Sequence, residues 1–378
     1  MRVIIIVRVH ARSFVLQASV GVVGRLCYMV VCASVALWVF THLNHSSQPS
    51  KHGTLSKRTI LIEDPGLGIV NRTFFIQSPV NSTLGPMPVL MGFHGQGHRA
   101  NEWANQHSFD LLASMRGWVT VYPQGMADGG SGTFDAGWNV GTNDDNSTCL
   151  PGTTGTGCHD SCRTLNLCGR CAWSTCYDDR AFVEQLLAQV KSELRVDEAR
   201  VFAVGESNGA MLIHYLAASL PGTFAAAVPV FGSPLLGYLT GPAYQLVTDS
   251  RVRRTSVLQL HDRSDTTIPW QGANSADGWL YEPMMRSLGT WAALHGCAIA
   301  VTADPVPTGD PTTHTACFWH KGCLGGNFVG YCMYDGNHGD WPSQPFADQF
   351  IWHFLTNVSA RESRLLEMER YIAHTETF

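Results

Sequence analysis

The chain has 378 residues, 45% of them apolar and 15% charged, with a formal net charge of −5. That is enough apolar material for one large α/β domain or two small ones. Basic runs are confined to the N-terminus, which leaves no electrostatic footprint for nucleic acid, and no internal repeat is present that would signal a solenoid.

The first 62 residues hold no Asp or Glu. Arg2, Arg8, Arg12 and Arg25 precede an apolar run from Leu26 to Phe40. The run is short for a membrane span, which needs about 20 residues, and it resembles the apolar centre of a signal peptide. The long basic stretch before it, and the lack of a clean small-residue cleavage site after it, suit an uncleaved anchor with its N-terminus inside equally well. Residues 1–41 are therefore read as a signal peptide or signal anchor. Either way the rest of the chain lies outside the cytosol, secreted or held at a membrane. Residues 42–57 read as a polar linker.

Two features agree with export. Asn44, Asn71, Asn81, Asn146 and Asn357 each open an Asn-x-Ser/Thr glycosylation sequon. Of the 12 cysteines, only Cys27 and Cys32 fall in the apolar run, leaving an even number beyond it. In an oxidising compartment that implies disulfides.

Short strand-like runs follow the linker: Thr59–Ile62, Thr73–Ile76, Val89–Phe93, Trp118–Tyr122, Val201–Val204, Ala226–Phe231, Val257–Leu260 and Val329–Tyr334. Helical patterns lie between them at Glu102–Met115, Arg180–Leu194, Ala210–Leu220, Asp277–Leu294 and Phe346–Leu355. The alternation predicts a mostly parallel central sheet with helices on both faces. Strands apolar throughout fit burial on both faces. The first pair, joined through Pro65-Gly66-Leu67-Gly68, predicts an antiparallel hairpin. The domain is expected over 58–357, with a C-terminal tail, 358–378, to which no function is assigned.

Residues 143–177 interrupt the pattern. They carry Cys149, Cys158, Cys162, Cys168, Cys171 and Cys176 in a Gly-, Thr- and Asn-rich stretch. A structureless loop of that length inside a domain is unusual. Six cysteines can staple it by up to three bridges in any of 15 pairings. Zinc is the alternative use, since Cys168-x-x-Cys171 has ligand spacing; export and the even count favour disulfides and no metal.

The chemistry is carried by Gly205-Glu206-Ser207-Asn208-Gly209. A strand-like run precedes it and a helical pattern follows, which places Ser207 at a strand-to-helix apex, the nucleophile elbow of α/β-hydrolases. A serine hydroxyl needs a general base and an orienting carboxylate, which follow in the order Ser, acid, His. The Val257–Leu260 strand runs into Asp262 and Asp265, and Val329–Tyr334 runs into Asp335 and His338. Carboxyl ends of parallel strands are where such sheets place their sites. His338 is assigned as base and Asp265 as orienter, with Asp262 and Asp335 competing for the acid role. The backbone N–H groups of Asn208 and of Gln96, in His94-Gly95-Gln96-Gly97, are the expected oxyanion donors.

Taken together, these pieces resemble the secreted esterases related to feruloyl esterases and polyhydroxybutyrate depolymerases, within the α/β-hydrolases. The resemblance is carried by Phe93-His94-Gly95, Val121-Tyr122-Pro123-Gln124-Gly125, Gly137-Trp138-Asn139 and Asp178 to Val183. It continues through Gly205 to Met211, Leu220 to Ala226, Asp265 and His338-Gly339-Asp340-Trp341-Pro342, in the family's order across about residues 58–356. It implies an α/β-hydrolase fold, with the Cys-rich segment as an insertion, and a disulfide between Cys297 and Cys323. Cys317 and Cys332 would be an added pair. Asp262 stands where the family usually has glycine, and Glu206 is an unusual neighbour for the nucleophile.

The expected activity is that of an exported serine ester hydrolase needing no cofactor. Its substrate would be an ester linked to plant polysaccharide (feruloyl or acetyl) or to a polyhydroxybutyrate-like polyester. Trp138, Trp270 and Trp341 are the candidate aromatic walls. A further reading is a non-catalytic binding glycoprotein on the same fold.

Overall fold

The computed structural model describes residues 2–9, 12–19, 53–79, 85–128, 136–141, 147–241, 254–304, 315–342 and 347–360. It divides into two units, residues 1–51 and 52–378. In the first, strands β1 (Arg2–Val9) and β2 (Arg12–Ser19) pair as an antiparallel hairpin. The apolar run 26–40 that carried the signal or anchor reading, the sequons at Asn44, Asn81 and Asn146, and the tail after residue 360 lie outside the described residues. Asn71 and Asn357 are exposed. No described helix is long and apolar enough to cross a membrane.

The second unit is built on one sheet. In chain order its strands are β3 (Ser56–Asp64), β4 (Gly68–Gln77), β5 (Met87–Phe93), β6 (Val119–Pro123), β7 (Val196–Glu206), β8 (Ala226–Val230) and β9 (Ser256–Asp262). The short strands β10 (Ala273–Asn274) and β11 (Leu280–Tyr281) form a separate hairpin. The strands β12 (Val301–Asp304), β13 (Ala316–His320) and β14 (Val329–Tyr334) complete the set. The ten-stranded sheet runs β12-β13-β14-β9-β8-β7-β5-β6-β4-β3. Strands β14, β9, β8, β7, β5 and β6 are mutually parallel, and both edges are antiparallel.

Alternation along each strand explains why the central runs are apolar throughout. Val89, Met91, Val201, Ala203 and Val257 bury into one core, shared with the helices Asp179–Glu193, Asn208–Ser219 and Met284–Leu294. Leu90, Phe202, Val204, Leu258 and Leu260 bury into the other, against Ala100–Gln106, Phe109–Arg116 and the helix over 347–360. Two faces covered by helices require apolar residues at every position.

Several elements differ from the sequence expectations. The helix expected over Glu102–Met115 breaks at His107 and Ser108. Asp348, on the opposite helix, accepts the Ser108 N–H at 2.5 Å and faces His107 Nδ1 at 3.2 Å, so a tertiary carboxylate captures groups that would continue the helix. The helix expected over Asp277–Leu294 begins only at Met284, after Pro283, because residues 277–280 pair with the Cys-rich segment instead. Strands β12 and β13 were not foreseen. Strand β13 pairs with β14 in a register that sets Cys317 directly opposite Cys332.

The six cysteines of 143–177 pair as Cys149–Cys171, Cys158–Cys168 and Cys162–Cys176. Cys168 and Cys171 therefore face different disulfide partners, although their spacing is also that of a zinc ligand pair. Cys297 pairs with Cys323 and Cys317 with Cys332. The stapled segment is not loose. Leu150 N–H and Thr154 N–H donate to Gly278 O and Asp277 O at 2.9 and 3.1 Å, and Leu280 N–H donates to Thr148 O at 2.9 Å.

Candidate active site

The order of β5, β6 and β7 reverses at β5: β6 lies on one side and β7 on the other. Such a switch point opens a crevice at the strands' carboxyl ends. Ser207 stands there, between β7 and the helix Asn208–Ser219, at φ 51° and ψ −119°. A non-glycine residue in this region is strained by about 1–3 kcal/mol and persists only where its surroundings hold it. The flanking glycines are needed for close approach. A Cβ on Gly209 would sit 2.4 Å from Phe93 O and 2.6 Å from His94 O, and one on Gly205 would sit 2.8 Å from Phe93 O. The elbow thus presses its backbone against the end of β5.

Ser207 Oγ lies 2.9 Å from His338 Nε2, and His338 Nδ1 lies 2.8 Å from Asp265 Oδ2. The partners set the tautomer: Nδ1–H donates to the carboxylate, leaving Nε2 to accept from the Ser207 hydroxyl. Asp265 Oδ1 accepts the N–H groups of Thr267 and Ile268 at 2.9 and 2.8 Å. Burial alone would raise the Asp265 carboxyl, but hydrogen bonds from His261 and His338 outweigh it and hold the pKa at about 2. The competing acids do other things. Asp335 is engaged with Arg263 at 2.7 Å at the surface. Asp262 is fully buried with neither oxygen hydrogen-bonded among the described residues, and burial, then the Asp265 charge, push its pKa up to about 6.

The loop after β5 brings Gln96 to the same crevice. A Cβ on Gly95 would lie 3.4 Å from Ser207 Cβ. His94 fixes this loop from beneath. Its Nε2 accepts from Gly125 N–H and from Gln124 Nε2, each at 3.0 Å, so Nδ1 carries the proton and donates to Gly95 O at 2.7 Å. Burial drives the His94 pKa down to about 4, keeping the ring neutral as these bonds require. Gln96 and Asn208 both lie in this cradle, Asn208 as the first residue of the elbow helix.

Trp138 has a different place from the one expected. It is fully buried, so it cannot wall a substrate site. Its indole N–H donates to His94 O at 2.8 Å, and its backbone N–H and C=O bond the Asn208 side chain at 2.7 and 3.2 Å. It is a support beneath the loop that follows β5. The support continues downward: Asn139 N–H donates to Asp179 Oδ2 at 2.7 Å, and Asp179 Oδ1 takes Arg72 at 2.5 Å in a fully buried ion pair. The Gly137-Trp138-Asn139 and Asp178-Asp179-Arg180 pieces are thus parts of one scaffold. Trp270 is half-buried against the core and does not line the cavity.

Above Ser207 opens a cavity of about 680 Å³. Trp341 lines it, with its ring 6.2 Å from Phe231 and 4.3 Å from His107. The remaining wall was not foreseen: Phe231, Tyr281 and the pair Trp173–Trp279, whose rings are 5.6 Å apart. Trp173, Thr154 and Gly155 come from the Cys-rich segment. The only signal for them was that segment's position ahead of the elbow. No cluster of metal-ligating side chains occurs among the described residues.

No family model matches the chain. Over 259 residues it is 22% identical to feruloyl esterase B of Piromyces equi, covering 66% of this chain and 39% of that protein. Over 201 residues it is 22% identical to the bifunctional acetylxylan esterase/xylanase XynS20E of Neocallimastix patriciarum, covering 53% and 22%. The chain thus spans less than two fifths of the length of either curated relative. Among solved structures, the acetyl xylan esterase from Aspergillus awamori superposes with a TM-score of 0.52 at 16% identity, covering 80% of this chain and 100% of that one. The chain has the α/β-hydrolase fold and is similar in sequence to feruloyl and acetylxylan esterases.

Proposed function

We propose that this chain is a serine carboxylic ester hydrolase that cleaves feruloyl or acetyl esters on plant polysaccharide. The observation that carries the reading is the relay Asp265–His338–Ser207, with contacts of 2.8 and 2.9 Å at the floor of the cavity. Ser207 Oγ attacks the ester carbonyl while His338 Nε2 takes its proton. Asp265 holds the ring in the productive tautomer and stabilises the imidazolium. The N–H groups of Asn208 and Gln96 take the oxyanion, each such donor contributing about 2.7–4 kcal/mol. The alcohol leaves with the proton from His338. Water then repeats the sequence on the acyl-enzyme, releasing the acid and restoring Ser207.

The substrate class is supported by the two curated relatives and by the aromatic side chains that wall the cavity beside Ser207. A polyhydroxybutyrate-like polyester is the alternative substrate. A non-catalytic binding role is disfavoured by the 2.9 Å contact between Ser207 and His338, since descendants that lose catalysis rarely need that geometry. Five disulfides and exposed sequons at Asn71 and Asn357 support a location outside the cytosol.

The test is turnover of methyl ferulate, acetylated xylan and a hydroxybutyrate ester by the wild type and by Ser207→Ala. The reading expects hydrolysis of the first two and a loss of at least about 10⁴-fold in the variant. Undiminished turnover in a pure, folded variant removes Ser207 from the mechanism.

A further inference from the structure

Glu206 precedes the elbow serine, and the acyl-transfer chemistry leaves it without a role. The residue is only 7% exposed, yet it lines the cavity. Oε1 accepts Gly95 N–H at 3.3 Å and faces His98 Nδ1 at 3.0 Å. Oε2 has no hydrogen-bond partner among the described residues. A Cβ on Gly95 would be 3.4 Å from both Glu206 Oε1 and Ser207 Cβ, so carboxylate and nucleophile press on the same piece of loop. Burial by itself would raise the Glu206 carboxyl, but His98, then His107 and the Gly95 N–H, hold it below its usual value and keep it ionised.

The rest of the wall sharpens the point. Among the described residues no Lys or Arg lines this cavity, and the other lining carboxylate is the exposed Asp277. His107 also lines it but is engaged with Asp348. Among the described residues the charge beside Ser207 is therefore negative, offset by His98 and, at longer range, by His107 when those rings are protonated.

We propose that Glu206 is a specificity-determining residue: its free oxygen accepts a hydrogen bond from a hydroxyl or ammonium group of the substrate, and its charge excludes substrates that carry a carboxylate beside the scissile ester. The proposal rests on the ester-hydrolase reading and adds to it which esters enter. It also gives the product an exit, because the released acid ionises within reach of a fixed negative charge. His98 tunes the effect. The Glu206 hydrogen bond raises its pKa, and Glu102 adds to this from the next helix. Below that pKa the Glu206–His98 pair is neutral; above it the carboxylate is bare, so exclusion strengthens as pH rises.

The experiment compares two esters of matched length, p-nitrophenyl valerate and the mono-p-nitrophenyl ester of glutaric acid, using the full chain. The kcat/KM ratio, neutral over anionic, is measured for wild type, Glu206→Gln and Glu206→Asp, at low and high salt. For wild type the ratio is expected to fall several-fold between about 0.01 and 1 M salt, as a screened charge requires. In Glu206→Gln it should drop by at least about tenfold (about 1.4 kcal/mol) and lose its salt dependence, with a few-fold loss on the neutral ester from the weaker acceptor for Gly95. Glu206→Asp should keep the preference. A wild-type ratio unmoved by salt overturns the proposal even if the variants fail to fold, as does an unchanged ratio in Glu206→Gln. Hydrolysis of neither ester by the wild type overturns the parent reading, and this proposal with it.

Discussion

Replacing Asp265 by Asn is the most discriminating perturbation of the relay. The carboxylate has two jobs: Oδ1 takes the N–H groups of Thr267 and Ile268, and Oδ2 takes His338 Nδ1–H at 2.8 Å. An asparagine carbonyl can fill the first role, which leaves its NH₂ facing Nδ1. That donor requires Nδ1 to be the acceptor, so the proton moves to Nε2 and His338 can no longer accept from Ser207. A wrong tautomer in an intact geometry lowers kcat by about 10⁴-fold. The same change costs stability. A carboxyl held at about 2 rather than 3.8 contributes about 2 kcal/mol at neutral pH. Because the folded pKa is the lower one, that contribution is present above about pH 4 and is lost as pH falls toward 2. The assay is kcat on p-nitrophenyl butyrate at pH 7, with urea melts at pH 7 and pH 3. Stability gaps that narrow on acidification, together with the kcat loss, are expected. A folded variant with kcat within about tenfold of wild type refutes Asp265 as the orienter.

Other outcomes follow from the same geometry. Asp262→Asn should stabilise the protein at pH 7–8 by up to about 3 kcal/mol and hardly at pH 4, because a buried carboxyl with a pKa raised to about 6 penalises the fold only once it ionises; thermal melts at the two pH values check this. Arg72→Met should cost about 3–5 kcal/mol in urea unfolding, since it strands Asp179 as a buried charge. Acidification from pH 6.5 to 4 should destabilise the wild type by several kcal/mol, because burial holds His94 at about 4 and His214 at about 3, and the unfolded chain takes up those protons first. Trp173→Ala should raise KM for methyl ferulate several-fold while leaving p-nitrophenyl acetate nearly unaffected; equal effects on both remove Trp173 from the acyl site.

The legibility of the chain follows the physics of its parts. The parallel strands were readable because burial on both faces forces runs such as Val89–Phe93 and Val201–Val204 to be apolar throughout. The elbow was readable because two glycines must flank a strained serine wherever a helix backs onto a strand end. What escaped depends on contacts distant in sequence. Asp348 stops a helix more than two hundred residues away at His107, which no local propensity reports. The Trp173–Trp279 wall forms only because residues 148–154 pair with 277–280 after three disulfides fold the insertion. Trp138 was placed on the wrong side of the loop because a sequence tells that a tryptophan is present but not which surface it covers. The choice among Asp262, Asp265 and Asp335 was likewise spatial: a shift of three residues separates a carboxylate aimed at His338 from one buried without a partner.

If Ser207 forms the acyl-enzyme, a fluorophosphonate must react with it, and peptide mass spectrometry of the treated protein maps the adduct. Stoichiometric labelling of the peptide bearing Ser207, parallel loss of esterase activity, and no label in Ser207→Ala are expected. Labelling at another residue, or full activity after Ser207 is modified, would contradict that role for Ser207.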